Sequence, residues 1–122
     1  MELHLGIITN GSSVSQRRKI AALGIEDHFN RITISGEIGI AKPNPTIFQE
    51  TLKAMAVKAE ESIFVGDHPQ NDMLAAQEIG MTPVWISGFH PWPESTGKPK
   101  HIIDKLSNLQ DTVRAIIDET LL

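Results

Sequence analysis

Two carboxylates, one amine and a hydroxyl-bearing turn are the residues here that could do chemistry together. Asp67 and Asp72 lie five residues apart in Val65-Gly66-Asp67-His68-Pro69-Gln70-Asn71-Asp72, Lys42 precedes Pro43-Asn44-Pro45, and Thr9-Asn10-Gly11-Ser12 follows a short apolar run. Carboxylates are hard oxygen ligands suited to Mg²⁺, which binds through one or two of them plus water and phosphate. A nearby cation also offsets the repulsion between two acids. Lys42 brings a full positive charge for phosphate oxygens or for a buried carboxylate. Thr9 offers a hydroxyl, and the backbone N–H groups of Asn10, Gly11 and Ser12 stand at a helix start, where unsatisfied donors and the helix dipole favour an anion. The implied ligands are a phosphate group and a divalent cation.

Taken singly, each signal has a plainer reading. Asp72 at a helix start serves as a cap as readily as a ligand. Thr-Asn-Gly-Ser is a common turn with an N-cap. His68, beside Pro69, is as well suited to shaping a loop as to touching a substrate. His90-Pro91-Trp92-Pro93 reads as a proline-stiffened cover with a half-buried tryptophan, or as a contact for a partner. What raises the set above these readings is the placement of its members along the chain.

That placement comes from the elements between them. Leu3–Ile8 is apolar and β-branched, the pattern of a buried parallel strand. A helix from Ser13 follows, with Ile20 and Leu23 inward and Gly24 ending it. Arg31–Ser35 reads as a second strand and 36–43 as a glycine-bearing loop. Asn44-Pro45 starts a helix with Phe48, Leu52 and Met55 on one face. A third strand, Ser62–Gly66, leads to Asp67; the helix after it carries Met73, Ala76 and Ile79 and stops at Gly80. Pro83–Ser87 is a fourth strand, 88–100 a loop, His101–Ile103 a short fifth strand, and the closing helix places Leu109, Val113, Ile116 and Ile117 at core spacing. Strands alternating with helices predict a parallel α/β sheet with helices on both faces, and ligands bind such sheets at the carboxyl ends of the strands. Thr9, Lys42, Asp67 and Asp72 are all expected at that edge, within one cleft.

Composition sets the outer limits. The 122 residues suit one domain, 1–122, with 40% hydrophobic and 21% charged residues, an ordinary globular balance. Eleven basic against 15 acidic residues leave a net charge of −4, which gives no electrostatic footprint for nucleic acid or an anionic membrane. The chain has no cysteine, so disulfides, thiolate metal sites and cysteine nucleophiles are excluded. No apolar run approaches the roughly 18–20 residues of a membrane span, and no basic-then-apolar leader is visible, so the expected setting is cytoplasmic.

Ile7-Ile8-Thr9-Asn10-Gly11, then Lys42-Pro43-Asn44-Pro45 with Ile47-Phe48, then Val65-Gly66-Asp67 through Asp72 resemble, in order, the second, third and fourth motifs of the haloacid dehalogenase (HAD) superfamily, phosphatase type. The resemblance implies a Rossmann-like fold and Mg²⁺-dependent phosphomonoester hydrolysis through an aspartyl-phosphate. It implies that Thr9, with Asn10 and Gly11, holds the phosphoryl group. Lys42 neutralises phosphate and nucleophile, Asp67 binds Mg²⁺, and Asp72 supports Lys42 or the metal site. It further implies a phosphorylated small molecule as substrate.

The family's nucleophile and acid/base are an Asp-x-Asp pair on a central N-terminal strand, and no Asp-x-Asp occurs in these residues. The expectation is therefore a C-terminal core without its first central strand and without the helical cap, inactive by itself and at most weak for Mg²⁺. Sheet edges left beside the vacant slot, at Leu3–Ile8 and Ser62–Gly66, predict self-association. The alternative is a truncated, non-catalytic interaction or oligomerisation module. A receiver-type signalling domain is rejected by the order Thr9, Lys42, Asp67, since receivers carry their acids first.

Overall fold

The structure, a computed structural model, describes residues 3–121. It has the Rossmann-like parallel α/β arrangement in two compact units, Met1–Glu61 and Ser62–Leu122.

In the first unit, strand β1 (Gly6–Thr9) pairs in parallel with β2 (Arg31–Ile34), from Gly6 opposite Arg31 to Thr9 opposite Ile34. The ladder begins at Gly6 and not at Leu3, because Asn30 takes over before it. Leu5 N donates to Asn30 Oδ1 at 3.0 Å, and Asn30 N donates back to Leu5 O at 2.7 Å. Helix α1 (Ser13–Leu23) is capped by the Ser12 hydroxyl and ends at left-handed Gly24. Its inward residue is Ile20 alone; Leu23, expected beside it, is 69% exposed. The stretch from Ser35 is not all loop, since Ser35–Ile38 forms one helical turn, α2. Nothing local favours a helix at Gly36, so tertiary bonds hold the turn, as described below. Helix α3 (Pro45–Met55) starts where Asn44-Pro45 predicts, with the Asn44 side chain accepting from Thr46 N. Ile47 and Phe48 are wholly buried and Leu52 nearly so, covering β1 and β2. Thr51 Oγ1 lies 2.8 Å from both Thr33 Oγ1 and the Ile47 carbonyl oxygen, so the two buried hydroxyls satisfy each other.

In the second unit, β3 (Ile63–Gly66), β4 (Thr82–Ile86) and β5 (His101–Ile103) run parallel in that order. Val84, Ile103 and Ile116 form the centre of its core, with Ile63, Val65, Ile86 and Leu109 packed around them. Ile116 comes from the closing helix α5 (Leu109–Leu121). The chain after β3 does not enter a regular helix at once. A wide π-helical turn, Pro69–Leu74, precedes the short α4 (Ala75–Glu78). Asp72 N and Met73 N both donate to His68 O, at 3.0 and 3.2 Å, which widens the first turn. Residues 88–100 form the expected loop without a helix. Among the described residues, no helix is long and apolar enough to cross a membrane.

Candidate functional site

The first group of site residues stands at the carboxyl end of β1. Thr9 Oγ1 accepts from Gln16 Nε2 at 2.5 Å, which leaves the hydroxyl proton of Thr9 to be donated elsewhere. Gln16 Nε2 also donates to Asn10 O at 3.2 Å. Gly11, at φ +143°, adopts a conformation that a side chain would strain, and its N–H is already engaged by Ser35 Oγ at 2.9 Å. Gly36 N donates to Gly11 O at 2.9 Å, and a Cβ at position 36 would lie 2.6 Å from that oxygen. This close approach requires glycine at 36. It brings the first turn of α2 against the loop after β1.

The same face carries an ion pair. Arg17 holds Glu37 through two parallel bonds of 2.9 Å, and Ser13 Oγ adds a third at 2.6 Å. Hydrogen bonds from Arg17 and then Ser13 hold the Glu37 carboxyl at about 2, below its ordinary 4.5. The Glu37 bond correspondingly raises Arg17. This latch ties α1 to α2, and with Gly36 it explains why a helical turn replaces the expected loop.

Lys42, thirty-two residues from Asn10, is brought directly to it. Lys42 N donates to Asn10 Oδ1 at 2.9 Å, and Asn10 Nδ2 donates to Lys42 O at 3.0 Å. One carboxamide thus satisfies both polar groups of one residue's backbone. The Lys42–Pro43 peptide is cis, and α3 begins at Pro45.

Asp67 and Asp72 share one loop in the second unit but have different surroundings. The Asp67 side chain, at the end of β3, is 44% exposed; its carboxylate lies 4.0 Å from His90 Nε2 and its carbonyl accepts from Trp85 Nε1 at 2.9 Å. Asp72 is 5% exposed, and its Oδ2 accepts from His68 N at 3.1 Å. It fits only because residue 66 is glycine: a Cβ there would stand 2.6 Å from Asp72 Cβ and Oδ2. His68 shapes the loop as well, since its Nδ1 accepts from Asn71 N at 2.9 Å, which puts the neutral ring's proton on Nε2.

The 88–100 loop folds onto this region. Trp92 meets Trp85 edge-on at 4.9 Å and donates to Thr96 O at 2.8 Å, and the His90 ring lies 4.9 Å from that of His68. Gln16, Ser35, Glu37 and Trp85 were not singled out by sequence. Each acts through a partner 7 to 24 residues away, and no short motif encodes such a pairing.

The donor set bears on which metal could bind. Among the described residues, no three His, Asp or Glu side chains form a self-sufficient metal cluster. A half-exposed carboxylate with a buried one on the same loop suits a hard cation that keeps most of its water, which is the habit of Mg²⁺ and not of zinc.

The haloacid dehalogenase-like hydrolase family matches residues 1–86, a span that includes Thr9, Lys42, Asp67 and Asp72. The chain belongs to this family. It is 42% identical over 90 residues to a phosphoserine phosphatase of Thermus thermophilus, covering 73% of this chain and 36% of that one. It is 37% identical over 115 residues to a glyceraldehyde 3-phosphate phosphatase of Pyrococcus abyssi, covering 94% and 48%. The HAD phosphatase of Thermococcus onnurineus superposes with a TM-score of 0.81 at 30% identity, over 90% of this chain and 50% of that one. The chain therefore spans between about a third and a half of the length of the curated relatives it matches.

Proposed function

We propose that these residues are the C-terminal catalytic core of a cytoplasmic, Mg²⁺-dependent phosphatase acting on small phosphomonoesters through an aspartyl-phosphate. The observation that carries the reading is the family match spanning Thr9, Lys42 and Asp67, with Thr9 and Asp67 each at the carboxyl end of a parallel strand. Relatives named for phosphoserine and for glyceraldehyde 3-phosphate support a substrate class of short primary-alcohol phosphates.

In this reading the Thr9 hydroxyl, fixed by Gln16, donates to a phosphate oxygen. The Lys42 ammonium balances the negative charge of the phosphoryl group and its acceptor. Asn10 and Gly11 shape the turn that surrounds the phosphate. Asp67 holds the metal, and Asp72 supports the Asp67 loop through His68 N. Mg²⁺, when bound, supplies charge stabilisation for the transferred phosphoryl group.

The family's aspartyl nucleophile is not among these residues, which contain no Asp-x-Asp sequence. The 122-residue polypeptide assayed alone is thus expected to show negligible turnover. Joining or adding an N-terminal segment with Asp-x-Asp after an apolar strand should yield hydrolysis of p-nitrophenyl phosphate that EDTA abolishes. Asp67→Asn or Lys42→Met in that reconstituted protein should remove it. Metal-dependent turnover by the short polypeptide alone, lost on Asp67→Asn, would overturn the assignment of the nucleophile to an added strand.

A further inference from the structure

We propose that Asn10 is a positioning residue for Lys42: its carboxamide sets the direction in which the lysine side chain leaves the backbone, and so its fit to a bound phosphate. The proposal rests on the phosphate reading of Thr9 and Lys42 and adds a residue that acts through another.

The geometry is specific. The Asn10 side chain accepts from Lys42 N at 2.9 Å and donates to Lys42 O at 3.0 Å. These two groups flank the Lys42 Cα, so holding both fixes the orientation of the Cα–Cβ bond. A carboxamide carries a donor and an acceptor side by side on one planar group, matched to a backbone N–H and C=O, and asparagine orders with fewer rotatable bonds than glutamine. The Asn10 end is held in turn: its carbonyl accepts from Gln16 Nε2, which also grips Thr9, and the next residue's N–H is bonded to Ser35. Thr9 and Lys42 are thereby set in one frame although 33 positions separate them in the chain.

Magnitudes decide between a positioning role and a purely structural one. Asn10 is exposed, so water competes for both of its bonds. Net, such bonds add little to folding, and exposed ones least. The buried side chains of α3 hold the unit together far more strongly. What this carboxamide controls is the orientation of Lys42.

The test is an amide-resolved NMR titration with inorganic phosphate, in the presence of Mg²⁺, of the chain joined to an N-terminal segment bearing Asp-x-Asp, in native, Asn10→Ala, Lys42→Met and double-variant forms. Asn10→Ala should weaken phosphate about tenfold in the native background and by less than about twofold in the Lys42→Met background, the non-additivity expected of residues acting as a unit. The exchange of the Lys42 amide with solvent should also accelerate in Asn10→Ala. Equal weakening in both backgrounds would show that Asn10 acts on phosphate directly, and no weakening would show that it does not act at all; either overturns the role. A native chain whose Thr9, Gly11 and Ser12 resonances ignore phosphate overturns the phosphate reading itself, a result distinct from phosphate binding that is intact but indifferent to Asn10→Ala.

Discussion

Lys42 lies in a loop and Asp72 in the wide turn after β3, both downstream of parallel strands, and their surroundings differ in kind. Around Lys42 the links are exposed side chain–backbone hydrogen bonds, from Asn10 to Lys42 and from Ser35 to Gly11, with the Arg17–Glu37 latch outside them. Around Asp72 the means is burial. The carboxylate lies against Gly66, receives His68 N, and sits on a wide turn beside Met73, Ala75 and Ala76, all buried. A loop fixed by exposed bonds keeps water within reach and adjusts at low cost. A loop fixed around a buried carboxylate tolerates almost no change in volume. In the proposed phosphatase site, the first would suit a lysine that meets a phosphate and the second a carboxylate kept in one orientation.

The contrast can be broken at its foundations first. Phe48 is wholly buried beneath β1 and β2, so Phe48→Ala should lower the unfolding free energy by about 3–5 kcal/mol in urea denaturation followed by circular dichroism. A loss of under about 1 kcal/mol would mean that packing on α3 is not what supports the Lys42 side.

Next comes the tight loop of the second unit. Gly66→Ala forces a methyl group against Asp72 and should destabilise by about 1–3 kcal/mol. Both tryptophans lie in this unit, and Trp85 donates to the neighbouring Asp67 carbonyl, so fluorescence should report the shift. Unchanged stability and emission would show that the loop around Asp72 is not tightly packed.

Asn10→Ala should be milder, lowering stability by about 1 kcal/mol or less, because its lost partners remain open to water. A larger loss, measured by the same denaturation, would place the Asn10 clamp in the same class as Asp72 and erase the contrast.

The smallest effect belongs to Glu37. Its carboxyl is held at about 2 in the folded chain against an ordinary 4.5, so its contribution is fully present above 4.5 and lost as pH falls toward about 2. The latch is exposed and screened, so the change should be slight. It is read as the difference between the native and Arg17→Met thermal midpoints, which should narrow across that window. A constant difference would mean that the ion pair does not follow the Glu37 charge.

Much of this molecule is legible in local sequence. Asn44-Pro45 predicts the start of α3, Gly24 the end of α1, and the spacing of Phe48 and Leu52 the buried face, because caps and periodicity depend on nearest neighbours. The α/β rhythm and the parallel pairing follow from the order of apolar runs. Sequence also places Thr9 and Asp67 at strand ends, and His68 as a shaper of its loop was one of the two readings its neighbourhood allowed.

Four features were decided by contacts beyond nearest neighbours, three of them with a partner 20 or more residues away. The β1 ladder starts late because Asn30 displaces it at Leu5. A helical turn forms at Ser35–Ile38 because Gly36 meets Gly11 and Arg17 holds Glu37. The turn after Asp67 widens because two amides share His68 O and Asp72 folds back against Gly66. Asn10, identical in sequence to any turn asparagine, becomes the holder of Lys42 only once folding brings residues 32 positions apart to 3 Å. Local sequence determines which conformations a segment favours, since propensities and caps act over one turn. Which of those conformations survives is set by long-range hydrogen bonds and close packing, and these exist only after the chain has folded.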